Sequence, residues 1–297
     1  MARCGCADPE AITGTCACAL QAGTSNTVLV TGTGQAADPW KVDVNPNVAN
    51  SSLQVTAGSG LTLSGAGTAA SPWLLGTDNI FSRGLLGTVV HSSTTPLSFN
   101  IGSYANAKFV HVRAVGGGGG GAGATAGAGV GIARPGGTGG NYAESWIPVA
   151  SVPASVTVTS GAGGTGGVAA NGAGGNGEDS SFGTLLVATG GRGAGASTTP
   201  VAGAVITPGT VPPPLGTGDI TFFGGSGEPG IQLAAGTGTG GLGGDSAFGS
   251  GDLGGVNSQA GSGGNQYGGG GGGACSFNNA VTGGGGARGV VIIEVWG

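Results

Sequence analysis

Four thiols stand within the first 18 residues, Cys4, Cys6, Cys16 and Cys18, in a CxC-x9-CxC spacing. Four cysteines this close together suffice for a tetrahedral zinc site. The CxC step is less specific than CxxC, whose two intervening residues make the tight knuckle of most metal sites. Disulfides formed after release from the cell fit the same spacing, and so do free thiols. In each case the group would staple a segment too small to own a core. The fifth cysteine, Cys275, sits among glycines beside Phe277 and reads as an inert filler.

The other reactive types are sparse. His91 and His111 are the only histidines, and His111 alternates with aliphatic residues, the pattern of a packed or edge histidine. Glu178 and Asp179 are adjacent, and neighbours on a strand point apart, so they do not make the paired carboxylates of glycoside cleavage. Gly-x-Gly-x-x-Gly strings arise here from composition alone and carry no nucleotide-binding weight. A Gly-Asp element recurs at Gly218–Gly224 and Gly244–Gly249, with a near match at Gly177–Gly183. Its Asp is expected to bond local backbone N–H groups in an Asx turn while the Phe tucks inward. Calcium coordination is the minor alternative. These residues predict a protein that is not an enzyme.

The elements that must position such residues are dominated by glycine, 74 of 297 residues, against about 7% in average proteins. Disordered chains are polar and strongly charged; here charged residues are only 7%, so packed backbone is expected. Gly116–Val130 breaks the three-residue period of collagen at once. What remains is glycine segments in the extended threefold conformation, bundled so that bare backbones touch and bond one another. Two β-branched strands flank this region, Lys108–Val115 and Val290–Trp296. Pairing them makes the glycine region a set of long excursions from a β base.

Before the base, Val28–Trp40 aligns with Leu61–Trp73 at a constant offset of 33, each copy reading strand, Gly-x-Gly turn, small-residue loop, Pro-Trp, strand. One copy buries almost nothing alone, which predicts stacking or intertwining of several chains, a short trimeric shaft; a monomeric pair of hairpins is the alternative. Residues 80–101 read as one hairpin opening the head. Islands at Tyr142–Val149, Ala154–Thr159 and Ser181–Ala188 should join the base. Val201–Leu215, with four prolines, is expected to be extended and to form a flexible flap. The predicted fold is all-β, with an attachment segment over 1–24, a two-repeat β-shaft over 25–79 and a glycine-rich head over 80–297. That head is a β-sandwich-like base carrying polyglycine II-like segments.

Net charge is −5 and the eight basic residues are scattered, so no nucleic-acid or anionic-membrane partner is expected. No run of 18 apolar residues predicts a membrane span. The start, Met1-Ala-Arg-Cys-Gly-Cys, lacks an apolar signal core. This predicts synthesis in a host cytoplasm and release in an assembled particle.

The strand running into a glycine run (Val112–Gly121), the Gly139–Trp146 island, Val156–Gly164, Asp179–Gly183 and the close into Gly289–Glu294 together resemble the glycine-rich domains of bacteriophage tail fibres and minor tail proteins. The resemblance covers about residues 106–297. The Gly-x-Gly…Asp-Pro-Trp repeat is similar to N-terminal modules of tail proteins from phages of actinobacteria; six Arg against two Lys suit a GC-rich genome. The resemblance implies a receptor-binding virion appendage at the tail tip, often trimeric, with polyglycine II helices and variable loops at its tip. It implies partners in the other tail proteins, reached through the N-terminus, and in a host surface glycan or protein; it transfers no catalytic residues. The prolines at 208–214 depart from it. Arg134, Arg192, Gln266, Tyr267, Phe277, Asn278 and Asn279 interrupt the glycine runs with side chains suited to sugar stacking or hydrogen bonding, and are the candidate contacts. A purely structural tail-tip connector is the second reading. A bacterial surface protein like the mycobacterial PE-PGRS proteins is the third, and the helical PE start is absent.

Overall fold

The computed structural model describes residues 84–297, with the backbone of four short strands before them. Cys4, Cys6, Cys16 and Cys18, and the zinc and disulfide readings attached to them, lie outside the described residues. The chain divides into two compact units, Met1–Phe81 and Ser82–Gly297. In the first, Val28–Thr31 pairs antiparallel with Lys41–Val44, and Leu61–Ser64 with Leu74–Thr77. Each repeat copy thus closes as its own hairpin, with strand bounds offset by the same 33 residues as the sequence.

The second unit is all-β, with helix among the described residues limited to the 3-10 turns Ile101–Ser103 and Val149–Ser151. The two flanking strands pair as their β-branched sequences demand, Val115 opposite Val290 through Phe109 opposite Trp296. They sit inside a five-stranded antiparallel sheet in the order Ile220–Phe222, Tyr142–Pro148, Phe109–Val115, Val290–Trp296, Leu85–His91. A second sheet runs Leu186–Ala188, Ser180–Phe182, Ser155–Thr159, Leu97–Asn100. Alternation decides what lies between them. Val110, Val112, Ala143, Val291 and Ile293 from the first sheet meet Phe99, Val156, Val158, Phe182 and Leu186 from the second in one core.

The expected 80–101 hairpin is not formed. Leu85–His91 pairs with Val290–Trp296, whereas Leu97–Asn100 pairs with Ser155–Thr159 in the opposite sheet. Val89 on one strand and Leu97 and Phe99 on the other all point at the same core, so the strands face each other across it instead of lying edge to edge.

Above the sandwich, the segment Gly116–Gly123 is packed entirely by backbone. Its N–H groups donate to three neighbours in turn. Gly117, Gly120 and Gly123 bond Glu178, Gly175 and Gly172; Gly118 and Gly121 bond Ala287 and Gly284; Gly116, Gly119 and Ala122 bond Asn141, Thr138 and Pro135. The partner numbers fall as the segment rises, so these three neighbours are antiparallel. Its carbonyls accept from three parallel neighbours: Gly117 and Gly120 from Gly191 and Ala194, Gly118 and Gly121 from Gly164 and Gly167, Gly119 and Ala122 from Gly271 and Ala274. These bonds span 2.7 to 3.2 Å. A bonding period of three with six neighbours is a hexagonal array of polyglycine II helices.

Gly268–Ala274 is enclosed in the same manner, exchanging backbone bonds with 116–122, 134–140, 241–244, 252–255, 262 and 284–288. The need for glycine follows from distance. A Cβ built on Gly117, Gly118 or Gly119 would approach the carbonyls of Ala162, Gly269 and Arg192 to under 3.0 Å. Side chains are excluded because neighbouring backbone already fills the space.

Two further expectations change. The proline segment is tied down, not loose: Val201 bridges Gly131, Thr210 bridges Gly227, and Asn141 Nδ2 donates to the Pro213 and Pro214 carbonyls. The Asp side chains of the Gly-Asp elements do accept backbone N–H groups, but distant ones: Asp179 from Gly190, Asp219 from Trp146 and Asp245 from Gly251. Phe182 is buried as expected, whereas Phe222 and Phe223 face out, because the strand carrying Phe222 joins the outer sheet.

Candidate functional site

Because lattice segments alternate in direction, each begins or ends at the sandwich and turns at the far end. Six connections meet at that distal end: 124–133, 168–172, 195–209, 231–239, 256–259 and 275–282. They are joined by short sheets, Gly131–Ala133 with Cys275–Phe277, Ala124–Thr125 with Ala280–Val281, and Val205–Ile206 with Ile231–Ala234 and Thr237–Thr239. Ala124, Ala126, Ile132 and Ala274 form a small core beneath them. Polar side chains complete the joints. Asn171 Oδ1 accepts from Thr125 N and Arg134 Nη2, Ser276 Oγ accepts from Ala126 N, and Gln232 Nε2 donates to the Val201 and Gly203 carbonyls.

None of these six connections contains an Asp, Glu, Lys, Arg or His. Their outward side chains are amides, hydroxyls and aliphatics, with Val168, Ile206, Leu233, Val256, Asn278 and Asn279 all exposed. The distal end is therefore a neutral, firmly jointed surface on a molecule that elsewhere carries its charge.

The seven candidate contacts are spread over the two ends, the flank and the interior. Asn278 and Asn279 lie exposed on the distal hairpin, and Phe277 beside them is half-buried against Gly131. Arg192 is exposed on the flank and lines, with Pro135, Ser197, Thr198, Thr207 and Thr210, a cavity of about 320 Å³. Gln266 and Tyr267 sit at the sandwich end, where Tyr267 packs on Val115, Tyr142 and Val290. Arg134 is turned inward and only 1% exposed, donating to the Thr198 carbonyl and Asn171 Oδ1. Burial lowers its pKa from the ordinary guanidinium value. As placed it braces two distal loops and reaches no external ligand. A charged residue in a glycine run reads as a tip residue only until its loop partners are known.

A polar cluster that the linear pattern did not reveal lies on the outer face of the five-stranded sheet. His111 Nδ1 is 2.9 Å from Glu294 Oε2 and its Nε2 is 2.7 Å from Glu144 Oε1; as imidazolium it donates to both. Arg113 Nη2 donates to Glu294 Oε1 at 2.8 Å, and the Tyr142 hydroxyl to Glu144 Oε2 at 2.6 Å. That Tyr142 bond holds the Glu144 carboxyl below its usual range; burial opposes the shift, while His111 and Arg113 add to it. Burial, then the bond to Glu144, pushes the Tyr142 phenol well above its ordinary value. The signal in the sequence was parity: 111 and 113, 142 and 144, and 294 are the polar positions of strands whose alternate residues are core. With both ring nitrogens held by carboxylates, His111 is the centre of a hydrogen-bonded network and offers neither nitrogen to a ligand.

Cys275 is buried without a disulfide partner, and burial raises its thiol pKa. Among the described residues no group of three His, Cys, Asp or Glu that could hold a metal ion is found, and no helix is long and apolar enough to cross a membrane. Among curated proteins none matches the chain. The family model described as a glycine-rich domain matches residues 92–296, most of the sequence, with the sandwich and the lattice above it, and the chain belongs to that glycine-rich domain family.

Proposed function

We propose that this chain is a non-catalytic bacteriophage tail appendage, a minor tail protein or tail fibre, whose distal end contacts the host cell surface. The observation that carries the reading is the uncharged distal surface, assembled from six connections with no Asp, Glu, Lys, Arg or His and held at the end of a close-packed backbone lattice. Such a scaffold tolerates change at its turns without disturbing the base. Amide, hydroxyl and aliphatic groups suit a neutral partner, an uncharged glycan or protein patch of the cell wall. In this reading three copies assemble in the virion, the N-terminal unit joins them to other tail proteins, and the distal turns face outward.

Binding of the purified full chain to a panel of actinobacterial cell walls tests this. The expected result is retention that 1 M salt leaves unweakened, since no charge pairs would be screened, and that Leu233→Arg with Val168→Arg abolishes while the melting temperature holds. Absence of binding to every wall would favour the connector reading, in which the chain only joins other tail components. Binding indifferent to both substitutions would place the contact elsewhere and reject the distal assignment.

A further inference from the structure

The outer face of the five-stranded sheet leaves several large apolar side chains open among the described residues. Register sets its side chains in rows. Pro148, Phe109, Trp296 and Leu85 lie opposite one another, then Trp146, His111, Glu294 and Thr88, then Ile220, Glu144, Arg113, Ile292 and Val90. Around the ion-pair centre, Phe109 is 47% exposed, Trp146 51%, Phe222 46%, Ile220 55%, Leu85 50% and Val90 58%. The three aromatics alone leave roughly 300 Å² of apolar surface in water, as much as the largest patch on many monomers.

We propose that this face is the surface through which copies of the chain pack on one another. Three observations favour a second copy as the occupant. Strands about 4.8 Å apart and up to seven residues long give a footprint of roughly 20 by 24 Å, about 480 Å² on each copy and roughly 1,000 Å² over two, the lower end of specific interfaces. The composition is that of an interface centre, with Trp, Phe and Arg and no lysine among the rows. The polar groups at its middle already bond one another within one chain, His111 with Glu144 and Glu294 and Arg113 with Glu294, so a second copy need supply no partner for them. The host-contact reading is independent of this proposal.

Sedimentation of the full chain tests it. The expected result is a mass that is a multiple of 27.4 kDa and that Trp146→Arg reduces to one chain. Because Trp146 also stacks on His111, the pair Val90→Glu and Ile220→Glu, changed only at exposed positions, is expected to weaken association at least tenfold with an unchanged melting temperature. A single-chain mass at every concentration would overturn the proposal. If Trp146 were then still shielded from a soluble quencher, residues 1–81 of the same chain would cover the face instead. An assembled wild type whose variants stay assembled would also overturn it, by placing the contacts elsewhere, the N-terminal unit included.

Discussion

The imidazole of His111 lies flat against the indole of Trp146, ring centres 4.2 Å apart and planes 9° from parallel. The same imidazole separates the carboxylates of Glu144 and Glu294. Replacing it with alanine leaves two carboxylates without the group between them and removes the support of the indole. His111→Ala is expected to cost about 2 kcal/mol, the scale of a hydrogen bond to a charged group, and to red-shift Trp146 emission. His111→Gln, which keeps one donor, should recover part of the stability. Thermal melts with fluorescence read both.

Acid dependence follows from Glu144. Its carboxyl is depressed in the folded chain, so the stability it contributes is present above the ordinary carboxylate range and is lost as pH falls through the lower folded value. The hydroxyl of Tyr142 is the largest cause. Tyr142→Phe should lower the melting temperature at neutral pH and flatten its decline on acidification, because the folded carboxyl returns toward its ordinary value. A melting series from neutral to about pH 3 distinguishes the two slopes.

Gly118 and Gly195 should respond to alanine in opposite directions. A Cβ on Gly118 runs into the carbonyl of Gly269, while one on Gly195 meets nothing within 4 Å. Gly118→Ala is expected to destabilise by about 3 kcal/mol, since backbone and not a side chain must yield. Gly195→Ala should be neutral or stabilising by about 0.5 kcal/mol through the unfolded chain. Chemical denaturation of the two variants measures the difference.

Arg134→Met keeps much of the side-chain volume and deletes the donors to Thr198 and Asn171. Amide exchange should quicken in 168–172 and 195–209 and stay slow in the sandwich strands. Quickening spread evenly across the unit would show that Arg134 is no local brace.

Native alkylation of the Cys275 peptide should be very slow until the chain unfolds, because the thiol is buried and burial also raises its pKa. Peptide mass analysis resolves this cysteine from the four near the start.

What the sequence could show depended on the range of the interaction concerned. Val110 and Val112 alternate with His111 and Arg113, and Val290–Ile293 is an unbroken β-branched run, so local sequence alone placed both strands. The glycine region was legible as packed backbone because low charge and a broken triplet left few other solutions. Which segment touches which was not legible: Gly117, Gly118 and Gly119 are neighbours in sequence yet bond Glu178, Ala287 and Thr138, and glycine carries no side chain to record a partner. The same limit hid the Glu144–His111–Glu294 network, whose members lie 33 and 183 positions apart, and made Arg134 look like a tip residue.

The last strand, Val290–Trp296, lies between Phe109–Val115 and Leu85–His91 in its sheet, and residues 284–287 supply one of the six neighbours of Gly116–Gly123. During synthesis Leu85–His91, paired among the described residues only with this strand, therefore waits for residues 290–296 to emerge. Loops of this length close slowly, so the nascent chain exposes strand edges and bare glycine amides throughout translation. The sandwich and its lattice are thus completed only once residues 284–296 have been made, and a product stopped before them lacks the strand that joins Leu85–His91 to the rest of its sheet.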